Sequence, residues 1–239
     1  MPLYLIPTFL SENTNVLPNE VLSIARSIDE FIAENEKTAR QFLKSIQTNY
    51  HQDKLVFHLL NEHSTAKEIS LLLEVLKKKK NIGLLSEAGC PAVADPGASL
   101  VKMAHENNIK VIPLTGPSSI LLALMASGMN GQSFIFHGYL PKETALRKAK
   151  INLIEKEALK KKQTQIFIEA PYRNQPLLND ILQTCDNKTS LCLAINLTSK
   201  DELINTRTIS QWKKQIPDIN KKPVIFLIGK LFLCLLIHL

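Results

Sequence analysis

The chain has 239 residues, 45% hydrophobic and 21% charged, and carries a net charge of +7. That composition is ordinary for a soluble globular protein, and the length is too great for one small core and suits two domains of roughly 100 residues each. The basic balance, with a pI near 9.2, raises the local concentration of polyanions, which makes RNA a reasonable partner while saying nothing about fold.

In chain order, Leu3 to Thr8 reads as an opening strand closed by an Asn-rich loop. Glu20 to Ser27 has a helical pattern, Asp29 to Glu34 a strand pattern, and Glu36 to Ile46 a helix with Phe42, Leu43 and Ile46 on one face. Strand-like Lys54 to Leu60 precedes a helix that Ser64 is placed to cap. That helix ends in Lys77 to Lys80, read as a solvated end where cations favour the helix dipole. Asn81 to Ser86 is a strand, then a Gly/Pro-rich loop runs to Gly97, helix Ala98 to Asn107, strand Lys110 to Leu114, and helix Ile120 to Ala126. This alternation predicts mostly parallel sheets covered by helices. The breaker cluster Ser127 to Gln132 is the expected joint, giving domains 1–127 and 128–239. Beyond it, strands are expected at Ser133 to His137, Gln163 to Glu169, Ser190 to Asn196, Leu203 to Thr208 and Pro223 to Ile228. A Lys-rich helix (Pro141 to Lys161) and helices Tyr172 to Gln183 and Ser210 to Gln215 lie between them.

The N-terminus lacks the basic and apolar regions of a secretory signal. The apolar run Leu231 to Leu239 is far shorter than the roughly 20 residues a span requires; it reads as a buried last element or a dimer contact. Cys90, Cys185, Cys192 and Cys234 form no CxxC pair and no zinc-ligand spacing, so reduced thiols, a cytoplasmic location and no metal are expected.

Three loops follow strand ends, where open α/β sheets bind ligands. Ser86 to Gly97 holds two glycines and two prolines, which allow close backbone approach. Its Asp95 suits a helix cap as well as a ligand contact. Thr115 to Ser119 opens a helix with small residues and hydroxyls, a ligand-facing turn or a simple cap. Glu169 to Arg173 is the third. No GxGxxG, GxxxxGK[ST] or GxSxG occurs, which counts against a dinucleotide site, a P-loop and a hydrolase triad.

GLLSEAGCPAVADPG, VIPLTGPSS, SGMNGQSFIFHGYLP and IFIEAPYR occur in an order and spacing that resemble the tetrapyrrole-methylase superfamily. Within it the chain is most similar to the bacterial small-subunit ribosomal RNA ribose 2′-O-methyltransferases, over about Leu3 to Lys230. The resemblance implies two α/β domains with a cofactor cleft between them, a homodimer, and S-adenosylmethionine as cofactor. By motif match the cofactor meets Ser86, Ala88, Gly89, Pro91 and Val93 in the first loop, then Ser118 and Ser119. Ala170, Asn196, Leu197, Pro223 and Ile225 complete the set. Some family features are altered. The family's opening loop, of Thr-Pro-Ile-Gly-Asn type, reads Ile6-Pro-Thr-Phe-Leu-Ser11 here. Its Glu-Asp-Thr-Arg stretch survives as Glu34-Asn-Glu-Lys37 with Arg40, and its Arg-Glu-Leu-Thr-Lys as Ile195 to Ser199 with Lys200. The cofactor half is kept better than the substrate half, as in a divergent paralogue.

A ribose hydroxyl is a poor nucleophile, so a general base or a cation beside the developing alkoxide helps transfer. Glu34, Glu87, Lys37 and Arg40 are the substrate-side candidates; each also suits a solvated loop or surface ion pair. His63 and His137 can serve as bases or sit as unremarkable partly buried histidines, and Tyr172 and Arg173 can face RNA or cover their own helix. Three functions are consistent with this pattern: ribosomal RNA methylation, small-molecule methylation of a tetrapyrrole type, and cofactor-dependent RNA association without catalysis.

Overall fold

The computed structural model describes residues 2–61, 63–78 and 80–231. The chain divides into two compact units, Met1–Ser118 and Ser119–Leu239. The apolar tail 232–239, with Cys234, lies outside the described residues, as does Lys79.

In the first unit, strands β1 (Leu3–Ile6), β2 (Glu30–Ala33), β3 (Val56–Leu59), β4 (Ile82–Leu85) and β5 (Val111–Pro113) alternate with helices α1 (Asn19–Arg26), α2 (Glu36–Ser45), α3 (Ala66–Lys77) and α4 (Gly97–Glu106). The strands form one sheet in the order β3-β2-β4-β1-β5, every pairing parallel. Helices cover both faces of the sheet, and its strands are mostly apolar, Glu30 on β2 and His58 on β3 being exceptions. Ile6, Phe31, Ala33 and Leu85 pack under α1 and α2, and Leu3, Ile32, Ile82 and Leu84 pack under α3 and α4. Gly83 on β4 has no room for a side chain, because an added Cβ would stand 2.7 Å from Cδ1 of the fully buried Phe31.

Two expected end features differ. Helix α3 is capped by Thr65, whose hydroxyl accepts from Glu68 N–H while Glu68 reaches back to Thr65 N–H. Ser64 instead accepts from Asn61 N–H. The cap moved one residue because Glu68 stands three residues after Thr65, the capping-box spacing. The lysines after α3 are also more than a solvated end. Lys78 and Lys80 donate to Glu30 at 2.7 and 2.9 Å, and His58 Nε2 lies 2.8 Å from the same carboxylate. Burial opposes the Glu30 charge, but these hydrogen bonds outweigh it and hold the carboxyl down at about 2.

The second unit contains α5 (Ser119–Ala126), β6 (Phe134–Tyr139), α6 (Thr144–Lys161), β7 (Thr164–Ile168), α7 (Asn174–Thr184), β8 (Ser190–Ile195), β9 (Leu203–Thr208), α8 (Ile209–Lys214) and β10 (Val224–Gly229). Its sheet order is β6-β7-β10-β8-β9. Here β6 and β7 are parallel, whereas β10 runs antiparallel to both β7 and β8, and β9 antiparallel to β8. Among the described residues five of the eight strand pairings are parallel, so the mostly parallel α/β class holds, with the antiparallel strand pairs in this second sheet. Helix α5, which precedes the Ser127 breaker cluster, belongs to this unit because Ala123 and Leu124 pack on Ile225 and Leu227 of β10. The other face carries α6, α7 and α8, the last through its Trp212, over Phe167, Leu193 and Phe226.

Candidate cofactor and substrate half-sites

Strands β4, β1 and β5 are neighbours, so their C-terminal loops converge. Thr8 N–H donates to Gly89 O at 2.9 Å, Thr8 Oγ1 to Ser86 O at 3.3 Å, and Ser86 Oγ to Gly89 O at 2.9 Å. Cys90 Sγ donates to Pro117 O at 3.4 Å, tying the Ser86 loop to the Gly116 turn. Gly89 adopts φ +77, and a Cβ there would stand 3.0 Å from Leu10 Cδ2 and 3.1 Å from Pro117 O. The glycine therefore serves loop-to-loop packing in a left-handed turn. The altered opening loop fills this space with apolar groups: Leu10 faces Gly89, and Phe9 meets Phe42 edge-on at 5.2 Å.

Asp95 is not the cap expected for α4, whose N-cap is Pro96 with no side-chain bond; it braces the loop before the helix. Its carboxylate accepts from Ala92 N–H and Gly97 N–H at 2.8 Å, bracing a loop in which Ala92 and Ala94 both have positive φ. Burial pushes its carboxyl up, against the pull of those two N–H groups. Within this frame Pro91 is buried, Ser86 and Ser118 are half-buried, and Ala88, Val93 and Glu87 are exposed. The loop thus presents small side chains and main chain at the sheet edge.

On the substrate side, β2 lies next to β4, so Glu34 and Glu87 follow adjacent strand ends. Asn35 caps α2 by accepting from Lys37 N–H at 2.9 Å. An open groove of about 510 Å³ runs along α2, lined by Glu36, Lys37, Arg40, Gln41, Lys44 and Gln52. Residues 37, 41 and 44 share one helix face, a spacing readable in the sequence, yet Gln41, Lys44 and Gln52 were not anticipated. Arg40 is largely committed to the fold. It donates through Nε to Glu36 at 2.8 Å and through Nη1 to Gln52 O, and its guanidinium sits 4.5 Å over the Phe57 ring. Lys37 and Lys44 are exposed cations of the groove.

In the second unit, the antiparallel β10 starts where β7 and β8 end, which gathers Ala170, Asn196, Leu197, Pro223 and Ile225 at one edge. Asn196, at φ +50, donates its N–H to Pro223 O at 3.0 Å, and Leu197 and Ile225 are buried behind it. Ala170 donates its N–H to Glu169 Oε1 at 2.7 Å, and its carbonyl accepts from Arg173 N–H at 2.8 Å. These two bonds leave the Ala170 methyl and a second carbonyl lone pair unused by them. Ser119 opens α5 in the same unit. Arg173 pairs with Glu169 and does not project freely, while Tyr172 is 66% exposed. His137 Nε2 is 2.7 Å from Gln165 Oε1 in a cross-strand polar pair and is half-buried as expected, whereas His63 is exposed rather than partly buried. Among the described residues no group of three or more His, Cys, Asp or Glu could hold a metal, and no helix is long and apolar enough to cross a membrane. Cys90, Cys185 and Cys192 are free thiols.

Comparison with known proteins places these features in a lineage. The "Ribosomal RNA small subunit methyltransferase I" of Buchnera aphidicola subsp. Schizaphis graminum is 31% identical over 229 residues, covering 95% of this chain and 77% of that protein. The Bacillus subtilis (strain 168) protein of that name is 33% identical over 212 residues, 87% of this chain and 68% of its own. Escherichia coli O157:H7 has another, 28% identical over 229 residues, 95% of this chain and 77% of its own. The crystal structure of the methyltransferase CobJ shares the fold, with a TM-score of 0.64, 14% identity, and coverage of 96% and 94% of the two chains. The family profile of the Tetrapyrrole (Corrin/Porphyrin) Methylases matches residues 13–212, taking in most of both units, and the chain belongs to that family.

Proposed function

We propose that the chain is an S-adenosylmethionine-dependent methyltransferase that acts in the cytoplasm on a ribose 2′-hydroxyl of small-subunit ribosomal RNA. The observation that carries this reading is the similarity of about 30% identity, over 95% of the chain, to proteins named as ribosomal RNA small subunit methyltransferases. The residues present suit the cofactor. Small residues at the β4 and β5 loop ends, Ser86, Ala88, Gly89 and Ser118, and at the β7, β8 and β10 edge, Ala170, Asn196 and Pro223, favour recognition by main chain and by shape. Pro91, Val93, Ser119, Leu197 and Ile225 complete the two half-sites.

When bound, S-adenosylmethionine supplies an electrophilic methyl group. The chain's own task is then largely to orient the acceptor in line. Glu34 and Glu87, which follow adjacent strands, are placed to take the hydroxyl proton, and Lys37 and Lys44 to hold neighbouring phosphates. Arg40 contributes to that groove chiefly by shaping it. The protein is further proposed to work as a homodimer. In support, Leu121 and Met125, one turn apart on α5, are 51% and 79% exposed.

The test is transfer of tritiated methyl from S-adenosylmethionine to small-subunit ribosomal RNA, with a tetrapyrrole as competing acceptor. Label that resists alkaline cleavage at one phosphodiester supports the ribose assignment, because a methylated 2′-oxygen cannot attack its phosphate. Label in a base, or only in the tetrapyrrole, contradicts it. Cofactor binding without transfer to any RNA indicates an RNA-associated protein without catalysis.

A further inference from the structure

The turn after β7 contains a buried ion pair made on one side only. The Glu169 side chain is 1% exposed, and its Oε1 receives both Ala170 N–H and Arg173 Nη2. Among the described residues its Oε2 has no partner, and neither do Arg173 Nε or Asn174 Oδ1, all three buried. Arginine and carboxylate that serve stability commonly engage in two parallel bonds. A half-made pair beside a second unmatched acceptor costs the fold stability, since buried polar groups are stabilising only when satisfied. Stability alone therefore does not account for a carboxylate here.

The same turn is tied to the entry of β10. Asn174 Nδ2 donates to Lys222 O at 2.6 Å, and Lys221 N–H donates to Pro171 O at 3.0 Å. The Glu169 carboxylate holds Ala170 directly, and the turn that follows holds the chain just before Pro223 through Pro171 O and Asn174 Nδ2. Ala170 and Pro223 are both residues assigned above to the cofactor.

We infer that Glu169, held by Arg173, is a positioning residue whose charge sets the Ala170 turn and the Pro223 entry, and thereby cofactor affinity. This rests on the proposal that those two residues contact S-adenosylmethionine. A group conserving shape without charge, as in Glu169→Gln, gives Arg173 no anion to pair with and relaxes the turn. Removing one partner strands the other charge and lowers stability, so the positioning role is read from affinity in the folded protein, where misplacement at the ligand edge weakens binding.

The experiment titrates S-adenosylhomocysteine into wild type, Glu169→Gln, Glu169→Asp and Arg173→Gln by calorimetry, and measures each Tm without ligand. At a temperature well below every Tm, where each variant is fully folded, affinity is expected to fall on the order of tenfold to a hundredfold in Glu169→Gln, beyond what its lower Tm accounts for, with partial rescue in Glu169→Asp. Arg173→Gln should show the same excess loss of affinity, and it decides the matter if Glu169→Gln fails to fold. Wild-type affinity in a neutral variant overturns the inference, as does a loss of affinity that only tracks a loss of Tm. If wild type itself binds no S-adenosylhomocysteine, the cofactor reading fails and takes this inference with it.

Discussion

Gly116 stands so close to Pro7 that a Cβ added to it would fall against the proline ring. The contact seats the loop after β5 on the loop after β1. It lets Pro117 O reach Cys90 and so holds the Ser86 loop from the other side. Gly116→Ala should destabilise the chain by about 1–3 kcal/mol, the usual effect of overpacking, and lower cofactor affinity with it. Pro7→Gly removes both clashing atoms, so the double variant should recover part of the loss. Chemical denaturation of the four proteins in the cycle measures that coupling, and strict additivity would show that the two loops do not bear on each other.

Asp95 braces the Ser86 loop through Ala92 and Gly97. Asp95→Ala leaves two N–H groups unmatched, at about 1–2 kcal/mol, while the rest of the unit is untouched. We expect cofactor affinity to drop about tenfold, equivalent to roughly 1.4 kcal/mol, with a far smaller change in RNA affinity. Asp95→Asn keeps one acceptor oxygen and should fall between the two. Equal affinity in all three proteins would remove this loop from the cofactor site.

The Glu30 cluster makes stability depend on acid. Its folded carboxyl lies at about 2, below the ordinary 4.5. The group therefore contributes stability fully above 4.5 and loses it as pH falls toward 2. The contribution is at most about 3 kcal/mol, less than that because Lys78 is half exposed. Glu30→Gln should lower stability at pH 7 and flatten the acid limb between those values. Urea midpoints measured from pH 7 to pH 3 check it, and parallel curves for wild type and variant would contradict the assignment.

Lys37 and Lys44 line the α2 groove without structural partners of the kind that hold Arg40. Lys37→Glu with Lys44→Glu should weaken RNA binding, reduce the slope of log affinity against log salt by about 0.7 to 0.9 for each lost phosphate contact, and leave cofactor affinity alone. Filter binding at several salt concentrations reads the slope. Arg40→Glu, by contrast, should cost stability as well, since it strips Gln52 O and the Phe57 face of their partner.

Much of this was legible in the residues. Parallel strands buried on both faces read as apolar runs, so β1, β2 and β4 stood out, and the loops after β4 and β5 carried the glycines and prolines of a ligand edge. Strand direction in the second sheet was not legible from periodicity, which is the same for either sense. One signal was present: β8 and β9 are separated only by residues 196–202, too short for the crossover a parallel pair requires. The burial of Glu30 was hidden because its partners are distant in sequence. The closeness of Pro7 and Gly116 was hidden for the same reason, since a sheet order is needed to bring β1 beside β5.

Calorimetric titration of the purified chain with S-adenosylmethionine and S-adenosylhomocysteine tests the central claim most directly. The account predicts micromolar binding of both ligands at one site per chain. Absence of binding to either would mean that the apolar opening loop, Phe9 and Leu10 in place of the family's flexible glycine, has closed the site, and the methyltransferase assignment would not stand.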